Sequence, residues 1–144
     1  MKLELIIEEW TKDCKIDDTD LSRESLKIPS LHAKYYDWYN KENLLLTKTE
    51  HDFYRLKKIK NDYYSGRMSQ EELTEYGWDQ FELRIMKDDL DLYIKSDKDL
   101  QTVLLKLQLQ KEKVDTLKDI IKSLHERGFL IKNSVEIMKY LSGF

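Results

Sequence analysis

The sequence predicts a mainly α protein built from long helices, and three observations carry that prediction. Among 144 residues there are four Gly and one Pro, so few positions force the backbone out of a helix. Apolar residues recur at three- and four-residue spacing through most of the chain. Charged residues make up 37% of the composition against 40% hydrophobic, which reads as extended solvated faces rather than one large core. A chain of this length holds one domain, or one domain with an oligomerisation element, and partner subunits would complete the core.

The first element is a short amphipathic helix, in which Leu3, Ile6, Ile7, Trp10 and Cys14 recur at helical spacing. Its outer face is acidic: Glu4, Glu8, Glu9, Asp13, Asp17, Asp18 and Asp20 outnumber Lys2, Lys12 and Lys15. Asp17-Asp18-Thr19-Asp20 ends it and offers caps to the next helix. From Leu21 to Tyr64 the helical pattern is nearly unbroken, through Ile28, Leu31, Tyr35, Trp38, Leu45, Phe53, Leu56 and Tyr63. Pro29 removes one backbone hydrogen bond, which predicts a kink or a division near Ile28. Tyr35, Tyr36, Trp38 and Tyr39 are dense enough to suggest base stacking, but aromatic residues at helical spacing read first as packing.

The end of that helix reverses the sign of charge. Residues 55–67 carry Arg55, Lys57, Lys58, Lys60 and Arg67 against the single acid Asp62, in a chain whose net charge is −3. At about 100° per residue, Leu56, Ile59 and Tyr63 gather on one side and Lys57, Lys60 and Tyr64 on another, with Lys58 beside them. Cations next to an exposed Tyr suit a phosphate backbone with an unpaired base to stack. A solvated basic helix end, offsetting the helix dipole, is the plainer alternative. Ser65-Gly66 supplies the stop.

Residues 68–99 are acidic again, with ten acids and four bases. Asp88-Asp89-Leu90-Asp91 lacks the alternating acids and the Gly of a calcium loop, so no metal site is expected. Phe81 to Ile85 alternates apolar and charged residues, and Leu90 to Ile94 begins the same way. Residues 81–95 therefore admit either a small β-hairpin or a helix.

Ser96-Asp97 caps the last long helix, which is predicted to run to Arg127 and stop at Gly128. Leu100, Leu107, Val114 and Ile121 repeat every seven residues, and Val103, Leu117 and Leu124 share the other seam with Gln110 as its polar member. Leu104, Leu105 and Leu109 widen the apolar face, and Phe129, Ile131, Val135, Ile137, Met138, Tyr140 and Leu141 form a short apolar helix beyond the stop. We therefore expect the C-terminal helices to form an oligomeric helical assembly through Leu107, Val114, Leu117, Ile121, Leu124 and Phe129. The chain divides, on this reading, into an N-terminal helical region at 1–96, which carries the basic strip that would bind nucleic acid together with the acidic segment and possible hairpin, and a C-terminal helical oligomerisation region at 97–144.

Cys14 stands alone, which excludes a disulfide framework and a Cys-based metal site and points to a reducing compartment. There is no Gly-rich phosphate loop followed by Lys and Ser or Thr, no His-Glu-x-x-His, no paired Cys and no Ser elbow. No stretch approaches the ~18 consecutive apolar residues of a membrane span. The expectation is a soluble binding or assembly protein, with no cofactor and no enzymatic activity.

Tyr63-Tyr64-Ser65-Gly66-Arg67 with its upstream basic run, together with Arg127-Gly128-Phe129-Leu130-Ile131-Lys132, resembles the UvsY-like recombination mediators of tailed phages. Met1-Lys2-Leu3-Glu4 and Asp97-Lys98-Asp99 extend the likeness over nearly the whole chain. The resemblance implies a homo-oligomeric ring, a hexamer or heptamer, that binds single-stranded DNA. It implies contact with the phage recombinase and the phage single-strand-binding protein, and loading of the recombinase onto covered strands in the cytoplasm of the infected host cell. The DNA-binding Lys and Arg of the family fall on Lys58 and Lys60; an ammonium at the second position lacks the planar fork of a guanidinium, and Lys57 stands beside it to compensate. The site expected from residues and resemblance together is Lys57, Lys58, Lys60, Tyr64 and Arg67. A coiled-coil scaffold, or a protein-only interaction module without nucleic-acid affinity, is the rival reading.

Overall fold

A computed structural model describes residues 1–143. Among them are five α-helices and no strand: α1 (Leu3–Asp13), α2 (Leu21–Tyr64), α3 (Gln70–Tyr76), α4 (Lys87–Ser96) and α5 (Lys98–Leu141). The chain packs as two compact units, one of Met1–Leu45 with the segment that starts at Gln110, the other of Leu46–Leu109. Packing thus does not divide at residue 96, because α2 and α5 each contribute to both units.

In the first unit, Ile6, Tyr35, Leu117, Ile120 and Leu124 form the core, with Trp10, Leu31, Trp38, Tyr39 and Ile121 against them. Tyr35 is wholly buried; its ring meets Trp10 and Trp38 edge-on at 5.5 and 5.2 Å, and its hydroxyl donates to Asp13 Oδ2 at 2.7 Å. The aromatic cluster of α2 is therefore core at Tyr35, Trp38 and Tyr39, and exposed at Tyr36.

Two buried polar residues tie the helices together. Gln110, the polar member of the heptad seam, donates to the Glu42 carbonyl and carboxylate at 2.8 and 2.7 Å. Arg127 donates through Nη1 to the Asp13 carbonyl at 2.8 Å and through Nη2 to the Lys15 carbonyl at 2.9 Å, closing the C-terminal end of α1. Free carbonyls at a helix end need such donors.

Three expectations about the long helices change. α2 passes through Pro29 without dividing. The lost hydrogen bond costs up to about 3 kcal/mol. Contacts to α5 on both sides hold the helix regardless: Glu24 meets Arg127 before the proline, and Leu31 and Tyr35 enter the core after it. α5 likewise runs through Gly128 to Leu141, because Leu124, Arg127 and Ile131 bury one continuous face and Gly128 has no need of a left-handed backbone. The heptad seam faces inward: Leu107, Val114, Leu117 and Leu124 are at most 3% exposed within the single chain, and Ile121 packs on the core. Of the six residues expected at a subunit interface only Phe129 is exposed.

In the second unit, residues 78–86 have no regular structure and 87–96 are helical, so the hairpin is not formed. Asp88 and Asp89 sit in the first turn of α4, where the helix dipole favours them, and Leu90, Tyr93 and Ile94 turn inward at helical spacing. Aromatic side chains hold the irregular segment: Phe81 meets Tyr64 at 5.0 Å and Tyr93 at 5.6 Å, and Trp78 meets Tyr63 at 5.2 Å.

Candidate nucleic-acid interface

The C-terminal end of α2 is built as the sequence predicts. Gly66 takes φ 73°, the Arg67 amide donates to the Asp62 carbonyl at 2.9 Å and the Gly66 amide to the Tyr63 carbonyl at 3.2 Å. This paired closure is the Schellman arrangement, which Gly allows without a Cβ penalty.

The cations before it divide into two groups. Arg55, Lys57, Lys58 and Arg67 are exposed and make no side-chain ion pair or hydrogen bond among the described residues. Lys60 is only 5% exposed, which corrects its placement on an open face. Its Nζ donates to Asp99 Oδ2 at 2.8 Å, lies 3.0 Å from Asp97 Oδ2, and sits 4.1 Å from the centre of the Trp78 ring. Tyr64 also turns away from solvent: its hydroxyl donates to Asp97 Oδ2 at 2.6 Å and its ring meets Phe81 and Tyr93.

Asp97 is the hub of this network. Its Oδ1 accepts the Leu100 amide at 2.9 Å, capping α5, while Oδ2 serves Tyr64 and Lys60. Burial pushes the Asp97 carboxyl up, but the hydrogen bonds from Tyr64, the Leu100 amide and Lys60 more than offset it and hold its pKa below the ordinary 3.8. For Lys60 burial works against the charged form, and its bonds to Asp99 and Asp97 win, raising its pKa above 10.5. Burial and the bond to Asp97 together raise that of Tyr64. Two stretches that the sequence presents separately, the Tyr-Tyr-Ser-Gly-Arg motif and the Asp97-Lys98-Asp99 run, are thus halves of one anchor.

Beside the anchor lies an open cavity of about 550 Å³ lined by Asn61, Ser65, Arg67, Ile85, Lys87 and Leu90. It adds Lys87, one of the four bases in the acidic stretch 68–99, to the exposed basic surface. A second feature that reading missed is Tyr54, 63% exposed between Phe53 and Arg55. Its signal was present, since it lies four residues before Lys58 and so on the same helix face. No group of His, Cys, Asp and Glu among the described residues is placed to hold a metal ion, and none of their helices is long and apolar enough to cross a membrane.

The fold and this surface define a helical protein that presents unpaired cations beside an aromatic ring, an arrangement suited to a phosphate backbone. The chain belongs to the UvsY family of recombination, repair and ssDNA binding proteins, whose sequence model matches residues 9–144. It is 29% identical over 146 aligned positions to the recombination protein uvsY of Enterobacteria phage T4, covering 99% of each chain. Its fold matches crystal structures of the bacteriophage T4 recombination mediator protein UvsY. The lattice type II form gives a TM-score of 0.85 at 26% identity, covering 100% of this chain and 99% of the other. The lattice type IV form also gives 0.85, at 25% identity, covering 97% and 99%.

Proposed function

We propose that this protein is a recombination mediator. It binds single-stranded DNA as a homo-oligomeric ring, a hexamer or heptamer, and promotes loading of a phage recombinase onto strands covered by the phage single-strand-binding protein, in the cytoplasm of the infected host cell. Its work is binding and assembly rather than catalysis. The observation that carries the strand-binding part is the set of exposed, unpaired cations Arg55, Lys57, Lys58 and Arg67 in a chain of net charge −3. Lys57, Lys58 and Arg67 contact phosphates; Lys60 and Tyr64 hold the helix end that presents them. The mediator role is carried over from the T4 relative, which is described as a recombination mediator protein.

Few cations per subunit give weak, salt-sensitive binding, and a ring multiplies it by bringing further copies of the strip to the same strand. With the heptad seam buried inside the chain, the assembly surface moves to the exposed apolar residues of α5. Phe129, Leu130, Ile137, Met138, Tyr140 and Leu141 are 46–81% exposed, more apolar surface at one helix end than a monomer normally leaves to water.

The test is binding of a labelled single-stranded oligonucleotide across a salt series, on protein whose mass is fixed by light scattering in the same buffers. A large oligomer with steeply salt-dependent affinity is expected. An oligomer that binds no strand even at low salt would leave a helical scaffold in place of a mediator.

A further inference from the structure

Burial of Tyr64 removes the ring that the sequence offers for stacking, and the surface supplies another. We infer that Tyr54 is the base-stacking residue of the strip, taking an unpaired nucleobase of a single strand while Arg55, Lys57 and Lys58 hold the flanking phosphates; this rests on the strand-binding reading above. Residues 53–58 carry three cations and no acid. Residues three and four apart are neighbours on a helix, which puts Lys57 and Lys58 one turn beyond Tyr54 and His51 one turn before it. Glu50, also one turn before, is the acid on that side, and the cations outnumber it.

The Tyr54 ring meets Phe53 edge-on, at 5.4 Å and 65°, and no other ring among the described residues. Other exposed tyrosines lack this setting. Tyr36 stacks on His32 and Tyr39, Tyr76 stacks on Trp78, and Tyr140 belongs to the apolar end of α5. Lys48, His51, Arg55 and Lys58, all exposed, continue the track along the same side of α2, where Asp52, exposed between Lys48 and Arg55, is the one acid among them. At about 1.5 Å per residue this run spans about 15 Å, the length of about four nucleotides at the ~3.4 Å per-strand rise of stacked DNA. Ring and phosphate track therefore match one short stretch of strand.

The experiment compares a thymidine oligonucleotide with an abasic oligonucleotide of equal length and charge, against wild type, Tyr54→Ala, Tyr54→Trp and Tyr36→Ala. Wild type should prefer the thymidine strand. Tyr54→Ala should weaken thymidine binding roughly 5- to 20-fold, the lower part of the range for one stacked base, and lose the preference with its salt slope unchanged. Tyr54→Trp should restore the preference, and Tyr36→Ala should keep it. Equal binding of both strands by wild type, or a preference that survives in Tyr54→Ala, overturns the stacking role while strand binding stands. Failure of wild type to bind either strand at low salt overturns both readings.

Discussion

Removing Lys60 should cost the fold far more than removing Lys58, although the two are two residues apart in one basic run. Lys58→Ala deletes an exposed side chain with no partner and should change stability by less than about 0.5 kcal/mol. Lys60→Ala strands the Asp97 carboxylate, 6% exposed, with only Tyr64 and the Leu100 amide as partners. Breaking a fully buried pair costs about 3–5 kcal/mol. Here the second acid, Asp99, has a side chain 63% exposed, so water reaches one flank of the network and the cost falls to about 2–3 kcal/mol. At typical denaturant slopes that is about 1 M in urea midpoint.

The pH dependence of the network follows from the two shifts. The Asp97 pKa is lowered on folding, so its contribution is present above about pH 4 and lost as pH falls through the folded value. The Lys60 pKa is raised, so its contribution is present below 10.5 and lost only above that. Between these limits the pair gives wild type no pH-dependent step. Without its ammonium partner Asp97 titrates higher, and the gap between wild type and Lys60→Ala should narrow as the solution is acidified toward about pH 4. Urea unfolding of the three proteins, with strand binding measured at one salt concentration, decides the matter. Should Lys60→Ala unfold at the wild-type midpoint yet lose strand affinity as Lys58→Ala does, Lys60 is a phosphate contact and not an anchor of the fold. The double variant Lys58→Ala with Lys60→Ala mixes the two effects, so the single variants are the informative ones.

Three further outcomes follow from the packing. Gly128→Ala should stabilise the protein by about 0.5–1 kcal/mol, read as a rise of about 2–4 °C in Tm, because an added Cβ meets nothing closer than the Ile28 Cδ1 at 4.0 Å and the helix interior favours Ala; a helix stop at this residue would give the opposite sign. Leu117→Asp, at 0% exposure, should unfold the first unit, whereas Tyr140→Asp, at 81%, should keep the circular-dichroism signal of the helices and lower the mass seen by light scattering. Arg127→Met should cost about 2–3 kcal/mol by leaving the Asp13 and Lys15 carbonyls without their donor, and hydrogen exchange should quicken first in α1.

Much of the local structure was legible in the sequence because its causes are local. Asp20 and Asp97 cap α2 and α5 with side-chain bonds to the amides of Arg23 and Leu100, and Gly66 closes α2. The family, too, could be read from motifs that keep their order along the chain. The local rules misled at Pro29 and Gly128, where a helix carried by tertiary contacts on both sides overrides the residue that would end it alone. At 81–95 they left hairpin and helix open, and the structure takes the helix from Lys87, with Leu83, 61% exposed, showing that the apolar alternation backs no sheet.

By itself the sequence determined that the chain is helical, where most helices begin, and that a surplus of cations stands at the end of α2. Only the tertiary structure decided which of those cations remain free. Lys60 is neutralised by Asp97 and Asp99, the second of them 39 residues later in the chain, so no window around the strip reveals the pairing. The same holds for the heptad of α5: a seven-residue repeat specifies that a face will be buried, not whether the covering helix belongs to the same chain. Here α1 and α2 supply Ile6 and Tyr35 to cover Leu117 and Leu124, while Phe129, Leu130, Ile137, Met138, Tyr140 and Leu141, at the end of α5 from Gly128 on, stay exposed.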